Sequence, residues 1–131
     1  MKEYLLFIDG QWQESASGQT FVSIDPGNGQ ELCVVQRGHK EDVDLAVKAA
    51  KAAFESSEWS NMIPAERARL LYELARKIRE KKEELAQLES LDTGKPISQA
   101  RTDVEVAARY CEYYAGVADK ILGETIPIRP D

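Results

Sequence analysis

Apolar positions come in short, strand-like runs over the first 36 residues and at three- and four-residue intervals from residue 40 onward, so the chain reads as strands followed by helices. Tyr4 to Ile8 and Gln11 to Glu14 flank Asp9-Gly10, a pair that tolerates the positive backbone angles of a tight turn, and they predict a first β-hairpin. Thr20 to Ile24 and Glu31 to Val35 predict a second, joined through Asp25-Pro26-Gly27-Asn28-Gly29, with Ser15 to Gly18 as a small-residue loop between the two. From Lys40, the residues Val43, Ala46, Val47, Ala50, Ala53 and Phe54 share one helical face, while Glu41, Asp42 and Asp44 crowd the positive N-terminal end. Ser56 to Asn61 reads as a loop carrying Trp59, and Pro64 suits the first position of the next helix.

The following stripe, Leu70, Leu71, Leu74, Ile78, Leu85, Leu88 and Leu91, is interrupted by Lys81 and Lys82, which predicts a break near Glu80 to Lys82. In Leu88 to Pro96, LESLDTGKP, Gly94 ends one helix and Pro96 opens another. Asp92 then faces the negative pole of a helix, where a carboxylate needs a cation or a donor. Thr102-Asp103-Val104-Glu105 fits a capping box and predicts a helix start there, carrying Val104, Ala107, Ala108, Cys111, Tyr114 and Ala118 towards a stop at Gly123. Glu124 to Asp131 reads as extended. The expected architecture is α+β, two β-hairpins over about 4–36 and about four helices over 40–122, with a tail at 123–131. No internal repeat or low-complexity segment is visible.

Composition narrows the function more than the fold. The 43% apolar and 31% charged fractions belong to a soluble globular chain, and 131 residues are one domain's worth. With 17 basic against 23 acidic side chains, the net charge of -6 gives no electrostatic reason to expect nucleic acid as a partner. The opening MKEYLLFIDG has an apolar run too short for a secretory leader or a membrane span, and Cys33 and Cys111 lie far apart, so we expect reduced thiols in a cytoplasmic protein with no membrane partner. Both cysteines fall at packing positions, in a strand pattern and on an apolar helical face. His39, the single histidine, is expected in the first turn of a helix; it excludes a histidine-based metal cluster and leaves no Ser-His or Cys-His pair to argue from spacing. Gly94-Lys95 is not a phosphate loop, since Glu89 and Pro96 stand where that motif needs glycine and Ser or Thr. Gly27-Asn28-Gly29 fails as a dinucleotide fingerprint, having Leu32 at the sixth position and no helix directly after it. The Arg76 to Glu84 charge run alternates in sign and reads as a solvated helix face.

The ordered segments FIDGQW, DPGNG, EDVDLAVKAAKAAF, ERARLLYELA, EELAQLESLDTGKP and YYAGVADKILGETIP resemble the N-terminal portion of the aldehyde dehydrogenase superfamily, with a flavour similar to its betaine-aldehyde and broad aliphatic-aldehyde branches. The resemblance spans Phe7 to Pro127. It implies a slice of an α/β cofactor-binding domain from a homo-oligomeric enzyme that oxidises a small aldehyde to a carboxylate with NAD or NADP, by way of a cysteine thiohemiacetal and a thioester. In the family the nucleophile, the water-activating glutamate, the oxyanion donors and the glycine-rich cofactor turn lie downstream of the equivalent of Asp131. No catalytic or cofactor-binding residue is therefore assigned here, and Cys33 and Cys111 match none.

Two family sites do fall inside this region. Many members hold a structural Na or K ion between main-chain carbonyls and the aspartate of the L-D-T-G segment, at positions matching Ser23, Ile24 and Asp92. The alternative for Asp92 is a turn cap through its own backbone. The family also places the last long helix beside the substrate tunnel, with Val106 and Tyr110 as wall residues; ordinary helix packing is the competing account. The chain as a whole is expected to be a piece of a longer enzyme, inactive alone, whose apolar stripes lack the sheet they were shaped to cover. The rival reading is a stand-alone helical interaction module that pairs with a full-length subunit.

Overall fold

The computed structural model describes residues 2–124. Five short strands precede five helices: β1 (Glu3–Tyr4), β2 (Leu6–Ile8), β3 (Gln11–Gln13), β4 (Thr20–Ile24) and β5 (Glu31–Gln36), then α1 (Lys40–Glu55), α2 (Ser57–Ser60), α3 (Pro64–Glu80), α4 (Lys82–Thr93) and α5 (Ile97–Val117). The architecture is the mixed α+β expected, with one rearrangement at the start.

The first hairpin is shorter than its apolar run. β2 and β3 pair antiparallel from Leu6–Gln13 to Ile8–Gln11, around a turn in which Asp9 and Gly10 take φ values of 53° and 75°. Tyr4 is not in this hairpin. It belongs to β1, which pairs parallel with β5 through Glu3–Val34 and Tyr4–Val35, giving a three-stranded sheet ordered β1-β5-β4. The edge of β5 has backbone donors to satisfy, and Val34 N–H donates to the Lys2 carbonyl at 3.0 Å. The chain therefore switches sheets at Leu5.

The second hairpin, β4 with β5, runs in register from Thr20–Gln36 to Ser23–Cys33 and then slips, so that Ile24 faces Glu31 and Leu32 is skipped. The bulge marks the end of β4.

Helix boundaries follow local chemistry. Pro64 occupies the first turn of α3 as expected. Lys81, at φ -99° and ψ 13°, separates α3 from α4 at the anticipated break, and Gly94 ends α4 in the left-handed conformation at φ 72°. Four expectations are corrected. The Ser56 to Asn61 loop contains the single helical turn α2, closed by Ser60 N–H on the Ser56 carbonyl at 3.0 Å. His39 stands one residue ahead of α1, as its N-cap. Thr102 starts no helix: α5 runs unbroken from Ile97 with Pro96 as its cap, and the Thr102 hydroxyl donates back to the Ser98 carbonyl at 3.1 Å, the bond a threonine makes inside a helix. α5 also stops at Val117, short of Gly123. The extended tail expected over 124–131 lies, apart from Glu124, outside the described residues.

Packing is thin and close. Among the described residues the buried apolar positions are Cys33, Val104 and five alanines, Ala75, Ala86, Ala100, Ala108 and Ala115. Ala86, Ala100 and Val104 form one cluster, lined by Ile78 and Ile97, where α3, α4 and α5 meet. Small residues let these helices approach closely, but among the described residues no large side chain is fully buried. The apolar stripe of α1 is open: Val43, Val47 and Phe54 are 57%, 61% and 75% exposed. Leu70, Leu74, Leu85, Leu88 and Leu91 are exposed in the same way on α3 and α4. These helices have apolar faces without a facing layer.

Candidate functional site

The α4–α5 corner and the end of β4 come together, although they are far apart in sequence. Asp92 is exposed in the last turn of α4, and the Ser23 hydroxyl donates to its Oδ1 at 3.1 Å. Ile24 is the next residue of β4, at the bulge. Among the described residues Asp92 pairs with no Lys or Arg and does not cap its own backbone; Ser23 is its hydrogen-bond partner. The basic residue of the corner is committed elsewhere. Lys95 Nζ donates to Glu89 at 2.7 Å and to Asp103 at 2.5 Å, bonds that raise its pKa, with Asp103 the larger cause. The Ser90 hydroxyl, donating to the Lys95 carbonyl at 2.7 Å, fixes the corner from inside.

What the corner presents is an exposed carboxylate with one serine hydroxyl donating to it. Among the described residues no group of three or more His, Cys, Asp or Glu is arranged to hold a metal ion.

The second predicted pair also shares a surface. Val106 and Tyr110 line one concavity of about 360 Å³ along α5, together with Arg109 and Tyr113. Among the described residues these four form the lining, and their helical spacing sets them on one face of α5. Arg109 and Tyr113 were absent from the sequence reading, and the spacing itself was the signal that would have added them.

Sequence reasoning missed a buried acid that is fully hydrogen-bonded. Asp42 is 3% exposed and accepts hydrogen bonds from the Ser15 hydroxyl at 2.7 Å, the Ala16 N–H at 2.9 Å and the His39 N–H at 2.8 Å. These hold its pKa below the ordinary 3.8, with the Ala16 and His39 amides as the leading causes and the Ser15 hydroxyl after them. Gln36 completes the junction: its Oε1 accepts from Ser15 N–H at 2.9 Å, and its Nε2 donates to Glu3 at 2.8 Å. A second lock joins α3 to α5, where Arg79 Nε donates to Glu105 at 2.9 Å and its terminal amino groups reach Glu112. The pKa of each carboxylate falls because of this guanidinium.

Neither cysteine is placed as a nucleophile by its surroundings. Both are free, Cys33 buried in β5 and Cys111 partly buried on α5. Gly27-Asn28-Gly29 turns between two strands, where Gly27 N–H donates to Asp25 Oδ1 at 2.7 Å and Gly29 N–H to the Asp25 carbonyl at 2.8 Å. Those donors are spent inside the turn, so the residues present do not fit a dinucleotide.

An α+β slice with open helical faces and a hairpin end beside a helix corner defines part of a larger α/β domain. Residues 12–131 match the model of the aldehyde dehydrogenase family, and the chain belongs to that family. It is 45% identical over 128 residues to the mitochondrial aldehyde dehydrogenase of Rattus norvegicus, covering 96% of this chain and 25% of the relative. The corresponding human protein is 44% identical over 128 residues, with 96% and 25% covered. The NAD+ complex of the Bacillus cereus aldehyde dehydrogenase superposes with a TM-score of 0.93 at 46% identity, over 99% of this chain and 27% of that one. Betaine aldehyde dehydrogenase of Staphylococcus aureus, also solved with NAD+, gives 0.87 at 42%, over 93% and 24%. The chain thus spans about a quarter of the length of the relatives it matches. Among the described residues no helix is long and apolar enough to cross a membrane.

Proposed function

We propose that residues 1–131 are the N-terminal part of the cofactor-binding domain of an NAD- or NADP-dependent aldehyde dehydrogenase, which oxidises a small aldehyde to the carboxylic acid through a cysteine thiohemiacetal and a thioester. The observation that carries this reading is the family match over residues 12–131, joined to helices whose apolar faces have nothing to lie on. The nucleophile, the water-activating base and the cofactor turn belong to sequence beyond this region, so the chain by itself neither turns over aldehyde nor binds NAD. A cytoplasmic homo-oligomer is the setting of the whole enzyme on this reading, in keeping with two free thiols.

What these residues contribute is position. Ser23 and Ile24, through main-chain oxygens, and Asp92, through its carboxylate, would hold a structural Na or K ion; such an ion would neutralise the acid at the helix end and tie the hairpin to the corner. Val106 and Tyr110 would form part of the substrate tunnel wall, with Arg109 and Tyr113 beside them on the same face.

The test is a chimera in which this chain replaces the matching quarter of the rat mitochondrial enzyme. NADH formation from a small aliphatic aldehyde is expected at a rate comparable to that of the rat enzyme, and none from the 131-residue chain alone. Turnover by the chain alone would overturn the reading, as would a folded chimera without activity. Co-purification with an intact subunit that leaves that subunit's activity unchanged would favour an interaction module instead.

A further inference from the structure

Asn28 and Gly29 stand side by side, both exposed, in the turn between β4 and β5. In this dipeptide a backbone readily attacks its own side chain, because glycine puts no Cβ beside the attacking nitrogen. The Gly29 nitrogen adds to Asn28 Cγ while its proton passes through solvent to the leaving group. The bond from Cγ to Nδ2 breaks, Nδ2 departs as ammonia, and water opens the resulting succinimide to aspartate or isoaspartate. No oxidant or cofactor is needed. The folded turn holds both reacting groups. Gly29 N–H donates to the Asp25 carbonyl at 2.8 Å, so its proton is engaged. Asn28 Nδ2 donates to Asp25 Oδ2 at 3.0 Å and Asn28 Oδ1 accepts from Gln30 N–H at 2.8 Å, so the side-chain amide is pinned at both ends. Asp25 is 8% exposed and is itself fixed, by Gly27 N–H donating to its Oδ1 at 2.7 Å and by its own N–H donating to the Gln30 carbonyl at 2.9 Å.

We propose that Asn28-Gly29 is a deamidation site that Asp25 keeps closed, and that reaction there opens the turn irreversibly. Asp25 is the guard because it binds both partners of the reaction, the nitrogen through its carbonyl and the side-chain amide through its carboxylate. For the Gly29 nitrogen to reach Asn28 Cγ, it must leave the first and the amide must turn away from the second. Only a local opening that breaks both bonds frees the pair to react. The product does not close again. A carboxylate at position 28 has no hydrogen to give Asp25 Oδ2, and it sets a second negative charge at hydrogen-bond distance from it. Isoaspartate also adds a methylene to the backbone, which shifts Gly29 N–H off the Asp25 carbonyl. The chain's other asparagine, Asn61, precedes Met62, whose side chain hinders the attacking nitrogen, so it serves as the slow reference.

The full chain, held at mildly alkaline pH and digested at intervals, reports the reaction as the mass gain of an amide becoming an acid in the peptide that carries Asn28. The folded chain is expected to convert several-fold more slowly than the same chain in urea. Asp25→Asn keeps the size of the side chain and an oxygen for Gly27 but removes the acceptor for Asn28 Nδ2, and it should raise the folded rate several-fold. Asp25→Ala, which frees Gly27 as well, should raise it further. Amide exchange over residues 97–117 should stay unchanged in both variants, and Asn61 should convert no faster. Asn28→Asp, the product itself, should speed amide exchange over residues 29–34. Equal rates in the folded and unfolded chain, or an Asp25→Asn rate equal to that of the unaltered chain, overturns the inference. So does acceleration that comes only with faster exchange over 97–117, since the fold rather than Asp25 would then be the barrier. An Asn28→Asp turn as protected as the original overturns the irreversible opening.

Discussion

Ala100→Leu is expected to loosen the α3–α4–α5 layer by about 1–3 kcal/mol, the usual cost of forcing extra methylenes into a packed site. Ala100 is fully buried and meets Ala86, Val104, Ile78 and Ile97, so a leucine there pushes α5 off the helices beneath it. Amide exchange across α4 and α5 should rise roughly tenfold to a hundredfold, since about 1.4 kcal/mol corresponds to a factor of ten. The hairpins, joined to the helices by polar contacts, should be little affected. Unchanged exchange in α5 would mean that the alanine contact is not what holds the layer.

Asp42→Ala is expected to detach the hairpins from α1. The substitution strands the Ser15 hydroxyl and the Ala16 and His39 amides, three donors now served by one carboxylate. Exchange over residues 15–20 and 39–43 should accelerate on the order of tenfold, while the Arg79 lock keeps α3 on α5. The same carboxylate sets a pH dependence. Its pKa is lower in the folded chain than the ordinary 3.8, so the stabilisation is present above that value and is lost as pH falls through the folded pKa. Acid should therefore release this junction, with no comparable change as pH rises from neutral.

The elements were legible wherever a local rule decided them. Asp9-Gly10 set a hairpin turn, Gly94 a helix end, and Lys81-Lys82 a break, each through the backbone angles or the interrupted stripe of those residues. Local rules failed where two satisfied the same sequence. Thr102 can cap a helix or bond back inside one, and the upstream start at Pro96 determined which. Tyr4 can extend a hairpin or complete an open edge, and the unpaired side of β5 drew it away. Asp42 read as one of three acids at the positive end of a helix; its burial depends on Ser15 and Ala16, partners that no periodicity connects to it. The Ser23–Asp92 meeting, across 69 residues, was reached through family resemblance rather than pattern. Val106 and Tyr110 were named the same way, whereas Arg109 and Tyr113 share their helical spacing and were open to the sequence through it.

One physical idea underlies the assignment: the stripes of α1, α3 and α4 are core surfaces of a larger domain. Val47 and Phe54 at 61% and 75% exposed are positions that a finished domain covers. The direct measurement is light scattering of the purified 131-residue chain, read together with binding of a dye that fluoresces on apolar surface and with a thermal melt. Association beyond the monomer, strong dye binding and a broad melt are the predicted result. A monomer that leaves the dye dark and melts in one sharp transition would contradict the account.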